Sequence, residues 1–141
     1  MSADNFQFVD TNILIYAFDT STGKKHKKAF ELLQELWVTE NGCISIQVLQ
    51  EFYVNAMRKA PKAPDPLKVA TTIRDLCSWK VHRPDTEDVL AAVTIHQKYQ
   101  ISFWDAMIIR SAQESGCTIL WSEDLSAGQD YGGIKVANPF K

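Results

Sequence analysis

The chain has 141 residues and a mass of 16.0 kDa; 45% of its residues are hydrophobic, and fifteen Lys or Arg against seventeen Asp or Glu give a formal charge of -2. That length supports one globular domain spanning 1–141 with a substantial core. The near-balanced charge excludes a global positive field of the kind that draws proteins onto nucleic acid or anionic membrane, so any such contact has to be local. Cys43, Cys77 and Cys117, like His26, His82 and His96, lack paired metal-ligand spacing, which argues against a zinc module or a disulfide scaffold. The cysteines read as small buried residues in reducing conditions. With no signal-type leader and no apolar run near the roughly 20 residues that cross a bilayer, a cytoplasmic location is expected.

Phe6, Phe8 and Val9 suit a short buried strand that ends at Asp10. Ile13, Leu14, Tyr16 and Ala17 suit the helix after it, with Asn12 as the expected cap. Beyond a Ser-Thr-Gly turn, KKHKKAFELLQELWVTEN predicts an amphipathic helix with Ala29, Phe30, Leu33, Leu36 and Trp37 on its apolar side. Lys24, Lys25, Lys27 and Lys28 crowd its start, where they oppose the helix dipole.

Asn41-Gly42 is expected to stop that helix, and Cys43, Ile44 and Ile46 form a strand running into SIQVLQEFYVNAMRKA. Val48, Leu49, Phe52 and Met57 are predicted to face the core, with Glu51 about a turn past the helix start. Residues 59–66, KAPKAPDP, read as a loop because closely spaced prolines cannot continue a helix. Val69, Ile73, Leu76 and Cys77 mark another helix, and Val81 a short edge strand. Thr86 is expected to cap a helix to about Gln100 with Leu90, Val93 and Ile95 apolar, and the next helix to run from about Phe103 to a stop at Gly116. CTILW, 117–121, is a further strand, and Ile134, Val136 and Ala137 a last one. Short apolar runs alternating with helices favour a three-layer α/β domain around a mostly parallel sheet.

Three of these strands end at polar positions: Asp10, Ser45 and then Glu51, and Asp124. Ligands gather at the carboxyl edge of such sheets. Asp105, near a helix start, is the fourth acid. Singly, each has a plain structural reading: an Asx turn for Asp10, a cap for Asp105, an exposed turn for Asp124, a solvated helix face for Glu51. Together, four converging carboxylates repel one another unless neutralised, and a hard divalent cation, magnesium or manganese, does that through oxygen ligands. Such a cation also suits phosphodiester hydrolysis.

At these residues the chain resembles the PIN-domain family, particularly the small VapC-type toxins of bacterial and archaeal toxin-antitoxin pairs. The marks are VDTNILIYAF around Asp10, SIQVLQEF ending in Glu51 and Phe52, FWDAMIIRSA around Asp105, and SEDLSAGQDYGGIKVANPF around Asp124 and Pro139. The resemblance spans nearly the whole chain. It implies an α/β/α sandwich with four or five central strands and an acidic pocket that cuts RNA with Mg²⁺ or Mn²⁺, one or two ions. It also implies a homodimer controlled by a small antitoxin. Asp10, Glu51, Asp105 and Asp124 match the catalytic, metal-binding acids; Asn12 and Ser45 match supporting polar positions, and Glu123 is a neighbouring candidate.

RNA would meet a local basic rim at Lys24, Lys25, Lys27 and Lys28, supplemented by Arg58, Lys59, Lys62 and Arg110, although a charge run also suits a solvated face. Trp104 reads as a helix-packing aromatic with stacking on substrate as the alternative. No P-loop and no GxSxG elbow is present. Two other functions fit the same residues: a phosphohydrolase of small phosphoesters, for which Asp10-Thr11-Asn12 lacks the expected DxD, and a non-catalytic regulatory domain that binds a protein partner.

Overall fold

A computed structural model describes residues 5–58 and 62–141. Phe8 and Val9 are fully buried in strand β1 (Gln7–Val9), and Ile13, Leu14 and Ala17 turn inward from helix α1 (Thr11–Phe18). Asp10, not Asn12, caps α1: its Oδ1 accepts the Thr11 N–H at 2.7 Å. A 3₁₀ turn, Thr20–Thr22, leads into α2 (Lys24–Thr39). The buried stripe of α2 is Ala29, Leu32, Leu33 and Leu36, the i, i+3, i+4, i+7 spacing of one helix face. Phe30 and Trp37, expected on that face, lie exposed on its flanks.

Strand β2 (Gly42–Ser45) is buried at every position, as a parallel strand covered on both faces should be. Ser45 caps α3 (Ile46–Met57), which buries Val48, Leu49 and Phe52. Pro66, expected in the loop, opens α4 (Pro66–Leu76), where its missing N–H has no helical partner to lose and Asp65 supplies the cap. Lys59, with the rest of 59–61, lies outside the described residues. Cys77 is exposed, whereas Cys43 and Cys117 are buried.

Strand β3 (Lys80–His82) takes the sheet edge expected around Val81. Helix α5 (Thr86–Tyr99) starts from Asp85 rather than Thr86, through a reciprocal box in which Asp85 accepts the Asp88 N–H and Asp88 accepts the Asp85 N–H. Ile95 of α5 is buried, but Leu90 and Val93 face solvent, and Ala92 and Asp88 stand on the inner face instead. Helix α6 (Phe103–Glu114) follows, capped by Ser102, then β4 (Ile119–Trp121), β5 (Asp130–Tyr131) and β6 (Ile134–Ala137).

The six strands form one sheet in the order β3-β2-β1-β4-β6-β5, flanked by helices. All pairings are parallel except that of β5 with β6. Two-residue β5 is the strand beyond the four or five expected, too short to leave a periodic pattern. From central β1 the chain winds outward through β2 to β3, then returns to set β4 on the other side of β1. That reversal opens a crevice at the carboxyl ends of β1 and β4, the usual ligand position in such sheets. Among the described residues no helix is long and apolar enough to cross a membrane.

Gly42 shows how closely β2 is covered. A Cβ there would fall 2.5 Å from Cε3 and Cζ3 of Trp79, whose ring stacks edge-on against Trp37. Gly42→Ala is therefore expected to destabilise the fold by about 1–3 kcal/mol, as overpacking does. Chemical denaturation would check this, and an unchanged midpoint would count against the packing described.

Candidate active site

The crevice holds a cavity of about 440 Å³ lined by Asp10, Thr11 and Asn12 at the start of α1, by Asp105 and Ile108 of α6, and by Asp124 beyond β4. Its remaining wall is one face of α3, with Gln47, Gln50, Glu51, Val54 and Asn55 at the i, i+3, i+4, i+7, i+8 spacing, and Arg58 just past the helix end. All four acids matched from sequence thus line one cavity, although they come from four separated segments.

Asp10 is both cap and wall. Besides the Thr11 N–H on Oδ1, its Oδ2 accepts the Ser122 hydroxyl at 2.9 Å, and its backbone N–H bonds to Trp121 O at 3.0 Å, fixing it between β1 and β4. Ser122, wholly buried, also accepts the Asp124 N–H at 3.2 Å and the Leu125 N–H at 3.4 Å. One hydroxyl therefore orients Asp10 and shapes the turn that carries Asp124. Glu51 is held from two sides, by the Thr11 hydroxyl at 2.7 Å and by Gln47 Nε2 at 3.1 Å. Asp105 is not the cap of α6; Ser102 fills that role, its Oγ accepting the Asp105 N–H at 3.0 Å, and the Asp105 carboxylate, on the cavity wall, also meets the Ser102 side chain.

Burial pushes the Asp10 carboxyl up to about 6, against the opposing hydrogen bonds from Ser122 and Thr11, and the charges of Asp105 and Glu51 add to the rise. Burial likewise raises Asp105, against an opposing hydrogen bond from Ser102, with the charges of Asp124 and Glu51 adding to the rise. At both Asp10 and Asp105 neighbouring carboxylate charges add to the effect of burial, as expected when like charges share a site.

The lining is chemically suited to a hard cation: its ionisable donors are carboxylate oxygens, with no Cys or His among them. Asn12 Oδ1, on the same wall, is buried without a hydrogen-bond partner. Among the described residues, however, no three His, Cys, Asp or Glu side chains are already gathered into a metal-holding group. The acids surround a space and do not close on a single point.

Several supporting readings change. Ser45 is fully buried and its Oγ accepts the Val48 N–H at 3.3 Å, so it shapes the start of α3 and does not line the cavity. Glu123 turns away from Asp124 to the Lys25 ammonium and the Tyr16 hydroxyl, the latter at 2.8 Å. Burial opposes its charge, but Lys25 and Tyr16 outweigh burial and hold its carboxyl below the ordinary value. Lys25 is thereby tied beside the site while Lys24, Lys27 and Lys28 stay exposed, and none of the four lines the cavity. Arg110 is not a rim residue: Asp88 takes its Nε at 2.8 Å and Glu114 its Nη2 at 2.9 Å.

Thr11, Ser122 and the amides of α3 escaped the sequence reading. Ser122 directly follows an apolar strand and stands two residues before Asp124, and the α3 polar face repeats at helical spacing around Glu51; these were the available signals. Ser122→Ala strips Asp10 of a donor and the Asp124 turn of an acceptor. It is expected to destabilise by about 1–3 kcal/mol and to push the Asp10 carboxyl higher, which carboxyl chemical shifts measured against pH would reveal.

The PIN domain family model matches residues 8–127, and the chain belongs to that family. Among solved structures, a toxin-antitoxin complex from Klebsiella pneumoniae is similar at 22% identity, covering 94% of this chain and 97% of its own, with a TM-score of 0.70. DNA-bound VapBC from Salmonella typhimurium gives 18% identity, 95% and 98% coverage and a TM-score of 0.68. VapC20 of Mycobacterium tuberculosis, described as a sarcin-ricin loop cleaving toxin, gives 20%, 84% and 89%, and 0.63. At these identities the likeness is one of fold. No curated protein matches the chain.

Proposed function

We propose that this chain is an endoribonuclease that hydrolyses RNA phosphodiester bonds with Mg²⁺ or Mn²⁺, one or two ions, and serves as the cytoplasmic toxin of a type II toxin-antitoxin pair. The observation that carries the reading is the convergence of Asp10, Glu51, Asp105 and Asp124 on one cavity of a PIN domain. The toxin-antitoxin structures that share its fold support a small protein antitoxin as partner. A homodimer would cover the exposed apolar residues Val89, Leu90 and Val93 on α5.

Asp10, Glu51, Asp105 and Asp124 would hold the cation, with Asn12 Oδ1 turned to the same space. The bound cation supplies charge neutralisation at the phosphate and a more acidic water. Thr11 and Gln47 fix the Glu51 carboxylate, and Ser122 fixes Asp10, so the wall is oriented before RNA arrives. Water attacks phosphorus, a cavity carboxylate takes its proton, and the P–O bond to the leaving ribose oxygen breaks as that oxygen takes up a proton from solvent water; no side chain bonds covalently to RNA. Arg58, without an ion pair among the described residues, gives the wall a positive group for the backbone.

The test is RNA-end mapping with purified protein. Cleavage is expected with Mg²⁺ or Mn²⁺, and should disappear in EDTA and in a folded D10N/D105N variant. Cutting that survives complete metal removal, or that the double variant retains, would overturn the proposal.

A further inference from the structure

Beside the carboxylate cavity lies a second, shallower one of about 320 Å³, near the lower end of the roughly 300–1,000 Å³ typical of small-ligand sites. Gln47 and Gln50 line both. Gln47 joins them physically: its Nε2 donates to Glu51 Oε2 at 3.1 Å and to the Trp104 carbonyl at 3.2 Å. Trp104 immediately precedes Asp105 on α6, so an occupant of the second cavity is a direct neighbour of anything held by the acids.

Trp104 does not pack into the core, as the sequence had suggested; it is 62% exposed. Phe103 meets its ring edge to face at 5.3 Å between centroids. Pro84 and Met107 add apolar lining, and Met107 is itself buried. Arg83, exposed on the same wall, makes no ion pair among the described residues. An indole face, an unpaired guanidinium and amide edges form the set that meets an unpaired nucleotide: aromatic for the base, cation for the phosphate, amides for the base edge. Arg83 in this cavity and Arg58 at the far end of α3 also bracket the acids, an arrangement that complements a polyanion passing through a negative centre.

We infer that this second cavity is a nucleotide subsite in which Trp104 stacks on one base of single-stranded RNA and Arg83 contacts its phosphate. The inference rests on the reading of the neighbouring cavity as a ribonuclease centre and names how that centre grips its substrate.

The test uses the full chain carrying D10N, so that RNA stays intact, with fluorescein-labelled single-stranded A and U decamers and an abasic decamer as probes. Base stacking on one aromatic corresponds to about a 5- to 150-fold change in affinity. D10N/W104A is expected to lose affinity in that range, while D10N/W104F stays close to D10N. Tryptophan fluorescence should be quenched by the base-bearing decamers but not by the abasic one, and the quenching should vanish in D10N/W104F yet survive in D10N/W37F. Arg83→Ala should reduce the slope of log affinity against log salt by about 0.7.

Unchanged affinity in D10N/W104A, or equal quenching by the abasic decamer, would overturn the subsite. So would a change of oligomeric state in W104A without a change in RNA affinity, which would make this face a subunit contact. The two readings fail separately. Wild-type cleavage together with an inert W104A substitution removes the subsite and leaves the nuclease; base-dependent binding without any wild-type cleavage does the reverse.

Discussion

Substitution of Asp10 by Asn is expected to stabilise the metal-free protein above pH 6 while removing RNA cleavage. The folded Asp10 carboxyl lies at about 6 against an ordinary value of 3.8. A raised folded pKa means that the folded state binds the proton more tightly. Its stabilising contribution is complete below about pH 4 and lost as pH climbs through 6. By pH 7.5 the wild-type fold carries a charge that burial and its neighbours oppose by roughly 3 kcal/mol. Asparagine is nearly isosteric and uncharged and its amide oxygen still accepts the Thr11 N–H; the Ser122 hydroxyl, whose oxygen already accepts the Asp124 and Leu125 N–H groups, loses its own acceptor, a cost of about 1–2 kcal/mol that is smaller than the charge relieved. In EDTA, D10N should therefore melt several degrees above wild type at pH 7.5, and the gap should close at pH 5. Mg²⁺ or Mn²⁺ should raise the wild-type melting temperature more than that of D10N, because a bound cation offsets the same charge. Cleavage should fall by at least about 100-fold, the scale on which a preorganised charge in an active site acts. Parallel melting curves for the two proteins across pH would refute the electrostatic account.

The second large effect is expected outside the cavity lining, at Asp88. This buried carboxylate on α5 accepts Arg110 Nε at 2.8 Å, stands 3.3 Å from His82 Nε2, and closes the Asp85 capping box. His82 Nδ1 meets the Ser111 hydroxyl at 2.8 Å, so the network links β3, α5 and α6. Burial opposes the Asp88 charge, but the Asp85 N–H, Arg110 and His82 more than offset it, and the carboxyl lies below its ordinary value. The sign is opposite to that of Asp10: this stability is present above about pH 4 and lost as the medium becomes more acidic. Asp88→Ala leaves a guanidinium without its inner partner and α5 without half its box. The loss should be about 3 kcal/mol, lowering Tm by about 6–12 °C for a domain of this size. Asp88→Asn should lose less, since an amide can still serve the cap. Thermal melts of both variants, with RNA cleavage assayed below the transition, would separate this scaffold role from a catalytic one.

The layered fold was readable because its strands are short apolar runs set between helices with clear stripes, and the four acids because Asp10 and Asp124 follow strands, Asp105 opens a helix and Glu51 stands about a turn into one. What escaped depends on three-dimensional neighbours. Asp10 and Asn12 compete for one cap, and only the pairing of β1 with β4, which places Ser122 against Asp10, shows that a residue can cap and line a cavity at once. Phe30, Trp37, Leu90 and Val93 obey helical periodicity yet lie outside the core, because periodicity marks a face without saying whether anything covers it. Glu123 and Asp124 are adjacent and point to different partners; chain order cannot choose between them. Arg110 looked like a free cation because Asp88, its partner, lies 22 residues away.

The reversal of strand order at β1 also fixes when the pocket comes into being during synthesis. Asp10 is made well before Ser122 and Asp124, and β4 gains its outer neighbour only when Ile134–Ala137 is in place. A chain made only as far as residue 118 has no β4 beside β1 and therefore no complete acidic cavity. Long-range pairing of this kind forms late and cooperatively. Such an order of assembly leaves Asp10 without Ser122 and Asp124 for as long as the residues between them are being made.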